Sequence, residues 1–254
     1  MRVGRSARLT GALAAGAWLW WAAPCSAAVT LGVPGLSLSV GGANASGTAG
    51  AIQIILLLTV LSFAPAILIT MTAFTRIIVV LSFVRSALSL QQSPPNQVLI
   101  GLSLFLTLFV MSPTLSAVNS AALQPYLAGR ISQSTAITQA ELPFKQFMAR
   151  QTRVSDVELF LAYRHERMPR SLTQLPMTTL VPAFAVSELK TAFEIGFMIY
   201  LPFLVIDLVV STTLMSMGML FLPPTLISLP LKLLLFVMVD GWDLIVKSLL
   251  AGFH

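Results

Sequence analysis

Four long apolar stretches, separated by proline breaks and one polar interval, set the pattern of this chain. Ala51 to Phe74 is uncharged and long enough to span a bilayer, with Pro65 as an expected kink. Val98 to Val118 is a second such stretch, with Pro113 inside it. Two further stretches run from about Val186 to Met215 and from about Thr225 to Val246, parted by Leu222-Pro223-Pro224. Between the first two lie Arg76, an apolar run, Arg85 and the hard turn Gln91-Gln92-Ser93-Pro94-Pro95-Asn96. Asn119 to about Pro176 is polar and holds VSDVELFLAYRHERM. There Val157, Phe160, Leu161 and Arg164 follow helical i, i+3, i+4, i+7 spacing. Val29 to Gly50 is rich in Gly, Ser and Ala and reads as a flexible linker.

Composition agrees with the pattern. The chain is 56% hydrophobic and 9% charged, with a mean hydropathy of +0.88, whereas soluble domains carry about 25% charged residues. The expected fold is an all-α integral membrane protein of about four hydrophobic helical segments plus a helical periplasmic segment. The net charge of +6 does not indicate nucleic-acid binding, because no basic patch with interleaved aromatics is present.

The N-terminus has the layout of a secretory signal: Arg2, Arg5 and Arg8, an apolar run from Leu9 to Ala23, then Ser26-Ala27-Ala28. Cleavage is expected after Ala27 or Ala28; a retained first helix is the alternative. Cys25 is the single cysteine and lies in this segment, so the mature chain offers no disulfide or thiolate ligand. The divisions expected are a signal over 1–28 and a linker over 29–50. A first pair of hydrophobic helices with a cytoplasmic Pro-Pro turn occupies 51–118, a periplasmic helical segment 119–180, and a second hydrophobic pair with a Met/Pro loop 181–254.

Orientation carries a conflict. A cleaved signal leaves the mature N-terminus outside and places Arg76 and Arg85 in the inner connection. Residues 119–176, with seven Lys or Arg, then fall outside, against the positive-inside rule.

Charge is the second anomaly. Glu188, Lys190, Glu194, Asp207, Lys232 and Asp240 punctuate the last two apolar stretches and, with Arg76 and Arg85, are candidate buried charges or assembly contacts. Ile195 to Val210 contains eleven Ile, Leu, Val or Phe residues, giving roughly −3 to −7 kcal/mol of insertion free energy. Each central charge costs about 2.5–3.5 kcal/mol, so a simple lipid-facing span is marginal. Lys190 and Glu194 stand i, i+4 and can pair on one face. Asp207 has no cation within two turns along the chain. Its carboxylate suits an interhelical or intersubunit ion pair, an ion relay or a pore-facing charge.

Met215, Met217 and Met219 surround Gly218 just before Phe221 and the Pro223-Pro224 break. Flexible methionines on irregular backbone fit either an apolar collar closing a pore or a loosely packed helix end. No phosphate-binding loop, metal-ligand cluster or nucleophile setting is found, which implies no cofactor and no enzymatic role. Two functions remain: a passive conduit driven by something else, and a proton- or solute-coupled transporter resting on Asp207 and Glu194.

Thr75 to Pro113, Val181 to Phe197, Pro202 to Val210, Leu214 to Met219, Leu222 to Pro224 and Ser228 to Trp242 together resemble the FliP family of type III secretion export-gate subunits, in its flagellar branch. The resemblance implies five copies of the chain assembling with FliQ and FliR, with FlhB at the cytoplasmic entrance and FlhA delivering unfolded flagellar proteins. It implies a cone-like gate of helical hairpins raised toward the periplasm. It also places Met219, Leu220 and Phe221 at the methionine-rich constriction of the channel, where relatives often carry consecutive methionines; Leu220 and Phe221 depart from that. Glu194 stands where relatives often have Gln.

Overall fold

The computed structural model describes residues 29–33, 36–40, 54–55, 58–59, 62–63, 65–67, 69–219 and 221–253. The expected signal segment, 1–28, lies outside them. The chain divides into two units, Met1–Phe63 and Ala64–His254.

Within the first unit, Val29–Val33 (β1) pairs antiparallel with Leu36–Val40 (β2), Val29 opposite Val40 and Val33 opposite Leu36. A flexible linker was the expectation here. Alternating Val and Leu in VTLGV and LSLSV carry the strand period that the Gly and Ser content masked.

All other regular structure among the described residues is helical. In the second unit, α1 (Phe74–Ala87) and α2 (Asn96–Val118) flank the Pro-Pro turn. A π-helical turn (Asn119–Leu123) extends α2 into the short α3 (Gln124–Leu127). The polar interval forms α4 (Gln133–Gln151) and α5 (Val154–Arg164), followed by a 3₁₀ turn at Leu172–Gln174. The C-terminal third is α6 (Met177–Ser216), α7 (Pro224–Met238) and α8 (Gly241–Ala251).

Among the described residues, two helical stretches are long and apolar enough to cross a membrane, Asn96–Leu127 and Met177–Ser216; Pro224–Met238 is apolar but shorter, and part of the expected first span, Ala51 to Phe74, lies outside the described residues. The 40 residues of α6 extend about 60 Å, nearly twice a hydrocarbon core. One lipid crossing therefore does not account for this helix.

The residues between Arg76 and Arg85 are not a connection. Ile77, Val80, Leu81 and Val84 share one helical face and are buried, making α1 the centre of the larger core. Ala192 and Phe203 of α6, Phe236 of α7, and Ile245 and Leu249 of α8 pack in the same cluster. Close approach of α1 and α6 depends on Gly196, where a Cβ would lie 2.5 Å from Phe83 Cδ2. A second core joins α4, α5 and the start of α6 through Met148, Val157, Leu161, Leu180 and Phe184.

Candidate functional site: paired charges and an apolar loop

The charges of α6 are resolved one by one. Glu188, fully buried, forms an ion pair with Arg76 of α1, whose Nε donates to Glu188 Oε2 at 2.9 Å. The same guanidinium donates to Gln151 Oε1 at 3.0 Å and to the Gly252 carbonyl at 2.8 Å. Its Cζ stands 4.0 Å from the Phe253 ring centroid. Five donors on a planar fork suit this task, as a lysine would not.

Lys190 pairs with Asp156 of α5 rather than with Glu194, and Ser187 Oγ donates to the other Asp156 oxygen at 2.7 Å. Burial disfavours the Asp156 carboxylate. The hydrogen bonds from Lys190 and Ser187, with the charges of Lys190 and Arg153, outweigh it and hold the carboxyl below its usual range. Glu194 takes a bidentate pair from Arg153, at 2.6 and 2.9 Å. The expected i, i+4 pair is therefore replaced by two contacts to the α4–α5 corner, which lies against that face of the helix.

Asp207 finds its cation on the neighbouring helix. Lys232 of α7, 1% exposed, donates to Asp207 Oδ2 at 2.6 Å and to Ser89 Oγ at 2.7 Å. Ser89 holds this position in a left-handed turn, φ 59°, directly after α1. Asp207 therefore has an interhelical ion partner within the chain, through Oδ2, while its Oδ1 is buried with no hydrogen-bond partner among the described residues.

The remaining two charges are not buried. Arg85 is half-buried and donates to Asn96 Oδ1 at 2.5 Å, closing the Pro-Pro turn. Asp240 is exposed, in a left-handed conformation at the start of α8, where its backbone carbonyl accepts from the Leu244 amide. Lys190 and Glu194 are also exposed, at 50% and 57%, so the buried charges of the expected set are Arg76, Glu188 and Lys232.

The loop after α6 is built differently. Gly218, φ +73°, closes the helix: its amide donates to the Met215 carbonyl and the Met219 amide reaches back to Leu214. This is a Schellman ending, which glycine permits at low cost. Pro223 and Pro224 then open α7, with proline at the first helical position as is favoured there. Between them Met215, Met217 and Met219 are exposed, and Phe221 is 101% exposed. Leu220 lies outside the described residues.

Sequence reasoning missed Arg153, Asp156, Ser89 and Gln151 as partners of the α6 and α7 charges. For Asp156 a signal existed: it stands four residues before Phe160, on the edge of the apolar stripe of α5. The others come from loop and helix-end positions that no periodicity marks.

Long helices with apolar outer faces, whose charged groups on α6 pair with other elements of the same chain, define an all-α membrane protein. The model of the FliP family matches residues 57–249. The flagellar biosynthetic protein FliP of Bacillus subtilis is 61% identical over 202 residues, covering 80% of this chain and 91% of that protein. The FliP proteins of Aquifex aeolicus and of Pectobacterium carotovorum are 46% and 51% identical, covering 87% and 80% of this chain and 92% and 79% of theirs. The chain belongs to the FliP family of flagellar biosynthetic proteins.

Proposed function

We propose that this chain is a core subunit of the flagellar type III protein-export gate, lining the passage by which unfolded flagellar proteins cross the bacterial inner membrane. The observation that carries this reading is family membership over residues 57–249. In this reading several copies, five by the resemblance, assemble with FliQ and FliR. FlhB stands at the cytoplasmic entrance and FlhA supplies substrate at the basal body. The mature N-terminus is periplasmic.

Two features of the molecule support it. The charged groups of α6 pair with α1, α5, Arg153 just before α5, and α7, so this helix suits a protein-walled assembly. The Met215–Phe221 segment projects apolar, adaptable side chains that nothing in the chain covers among the described residues. A ring of such loops forms a soft collar that holds back ions yet yields to a polypeptide. The seven basic residues of 119–176 then sit on the periplasmic side, in a segment near the length at which the positive-inside rule loses force.

A clean deletion should abolish hook and filament export while general secretion continues. Normal motility in that strain would overturn the proposal. Gentle detergent purification of the tagged chain should recover FliQ and FliR by mass spectrometry.

A further inference from the structure

A cavity of about 760 Å³ opens between the last turns of α2, the end of α4 and the C-terminal residues. That is within the size range of sites that hold small amphiphilic ligands. Its walls are Phe109, Val110 and Pro113 on one side and Phe147 and Phe253 on the other, with Arg150 at its edge. None of its lining residues is acidic. Arg150 is exposed, and among the described residues its side chain makes no ion pair or hydrogen bond, like Arg130, Arg167 and Arg170 and unlike Arg76, Arg85, Arg153 and Arg164.

One wall is fixed in advance. Phe253 stacks on Phe147 with ring centroids 6.4 Å apart, and its carbonyl accepts from Gln151 at 3.4 Å. A preformed wall lowers the ordering cost of binding. The place in the fold also matters. The cavity lies where the apolar α2 gives way to the polar interval.

We propose that this groove holds an anionic phospholipid, with one acyl chain between Val110 and Phe253 and its phosphate on the Arg150 guanidinium. The pairing uses the planar donor geometry that matches a phosphate and the attraction of basic sites between membrane helices for anionic headgroups. It does not depend on the export-gate reading.

The test is native mass spectrometry of the purified full-length chain, in the assembly in which it elutes, titrated with phosphatidylglycerol or phosphatidylcholine. Phosphatidylglycerol should bind in preference. Arg150→Gln, at an exposed position, should weaken it about fivefold while leaving phosphatidylcholine unchanged. Val110→Trp, which fills the groove, should reduce both lipids, and inorganic phosphate should displace neither. Equal binding of the two lipids would overturn the assignment, as would phosphatidylglycerol binding unmoved by either substitution. So would a groove closed by a second copy of the chain, seen as an assembly that Val110→Trp disrupts with no loss of lipid.

Discussion

The two halves of α6 handle their side chains in opposite ways. Around Glu188 each polar group meets a partner from another element of the same chain: Arg76 from α1, Asp156 from α5 and Arg153 before α5. Around Met215 and the loop that follows, large apolar groups are left uncovered. The first region satisfies itself and fixes the fold. The second leaves large apolar groups uncovered among the described residues. Their difference separates residues whose loss should unfold the molecule from residues whose loss should change only what it does.

The largest effect is expected in the first region. Arg76→Ala leaves Glu188 buried and unpaired and should destabilise the chain by about 3–5 kcal/mol, read as a fall in thermal midpoint or in folded yield. The double substitution Arg76→Met with Glu188→Met should cost clearly less than the single one, because no uncompensated charge remains. A double variant as damaged as the single would show that geometry rather than charge matters there.

Gly196→Ala comes next. The added Cβ would meet Phe83, whose ring also packs edge-on against Phe193 at 5.3 Å. Overpacking of this kind costs about 1–3 kcal/mol. Gly196→Ala with Phe83→Leu should recover part of that loss in the same melt.

Asp207→Asn leaves the buried Lys232 charge with only neutral acceptors, and a loss of about 2 kcal/mol is expected. The pair joins α6 to α7 across the Met/Phe loop, so it ties the satisfied region to the uncovered one. Lys232→Met with Asp207→Leu should restore stability; failure to do so would make the pair's shape, not its charge balance, the important property.

Acid should act through Asp156. Its carboxyl titrates below the unfolded-chain value of 3.8 in the folded protein, so its contribution is present above that value and is lost as pH falls through the folded one. A thermal midpoint that falls as pH drops below about 3.8, and falls less in Asp156→Asn, is the expected result. A variant with the same acid slope as the parent would assign the loss to other carboxylates.

Much of this contrast was legible in the sequence, and what was not has a physical cause. The Pro-Pro breaks, the apolar stretches of α2, α6 and α7 and the helical face of α5 were legible from composition and periodicity. Charged residues in α6 could be recognised as costly but not matched to partners, since matching depends on which helices touch. Asp207 and Lys232 are 25 residues apart, and Arg76 and Glu188 are 112 apart. The i, i+4 pair of Lys190 and Glu194 was the local solution, and tertiary contacts to Asp156 and Arg153 displaced it. The segment from Arg76 to Arg85 looked like a connection because charges bracket it. Only packing reveals that the first of them is buried and that the helix between them is the core. At the loop, Gly218 and the two prolines predicted irregular backbone, and the Schellman ending is the form it takes.

The central claim is that the uncovered Met/Phe loop seals a passage while the paired charges hold the fold. It is tested most directly by ion conductance of the inner membrane in cells producing the assembled complex with Met219→Ala and Phe221→Ala. Small-ion leakage at an unchanged level of assembled protein is the predicted result. Conductance equal to that of the parent, at the same level of assembly, would contradict it.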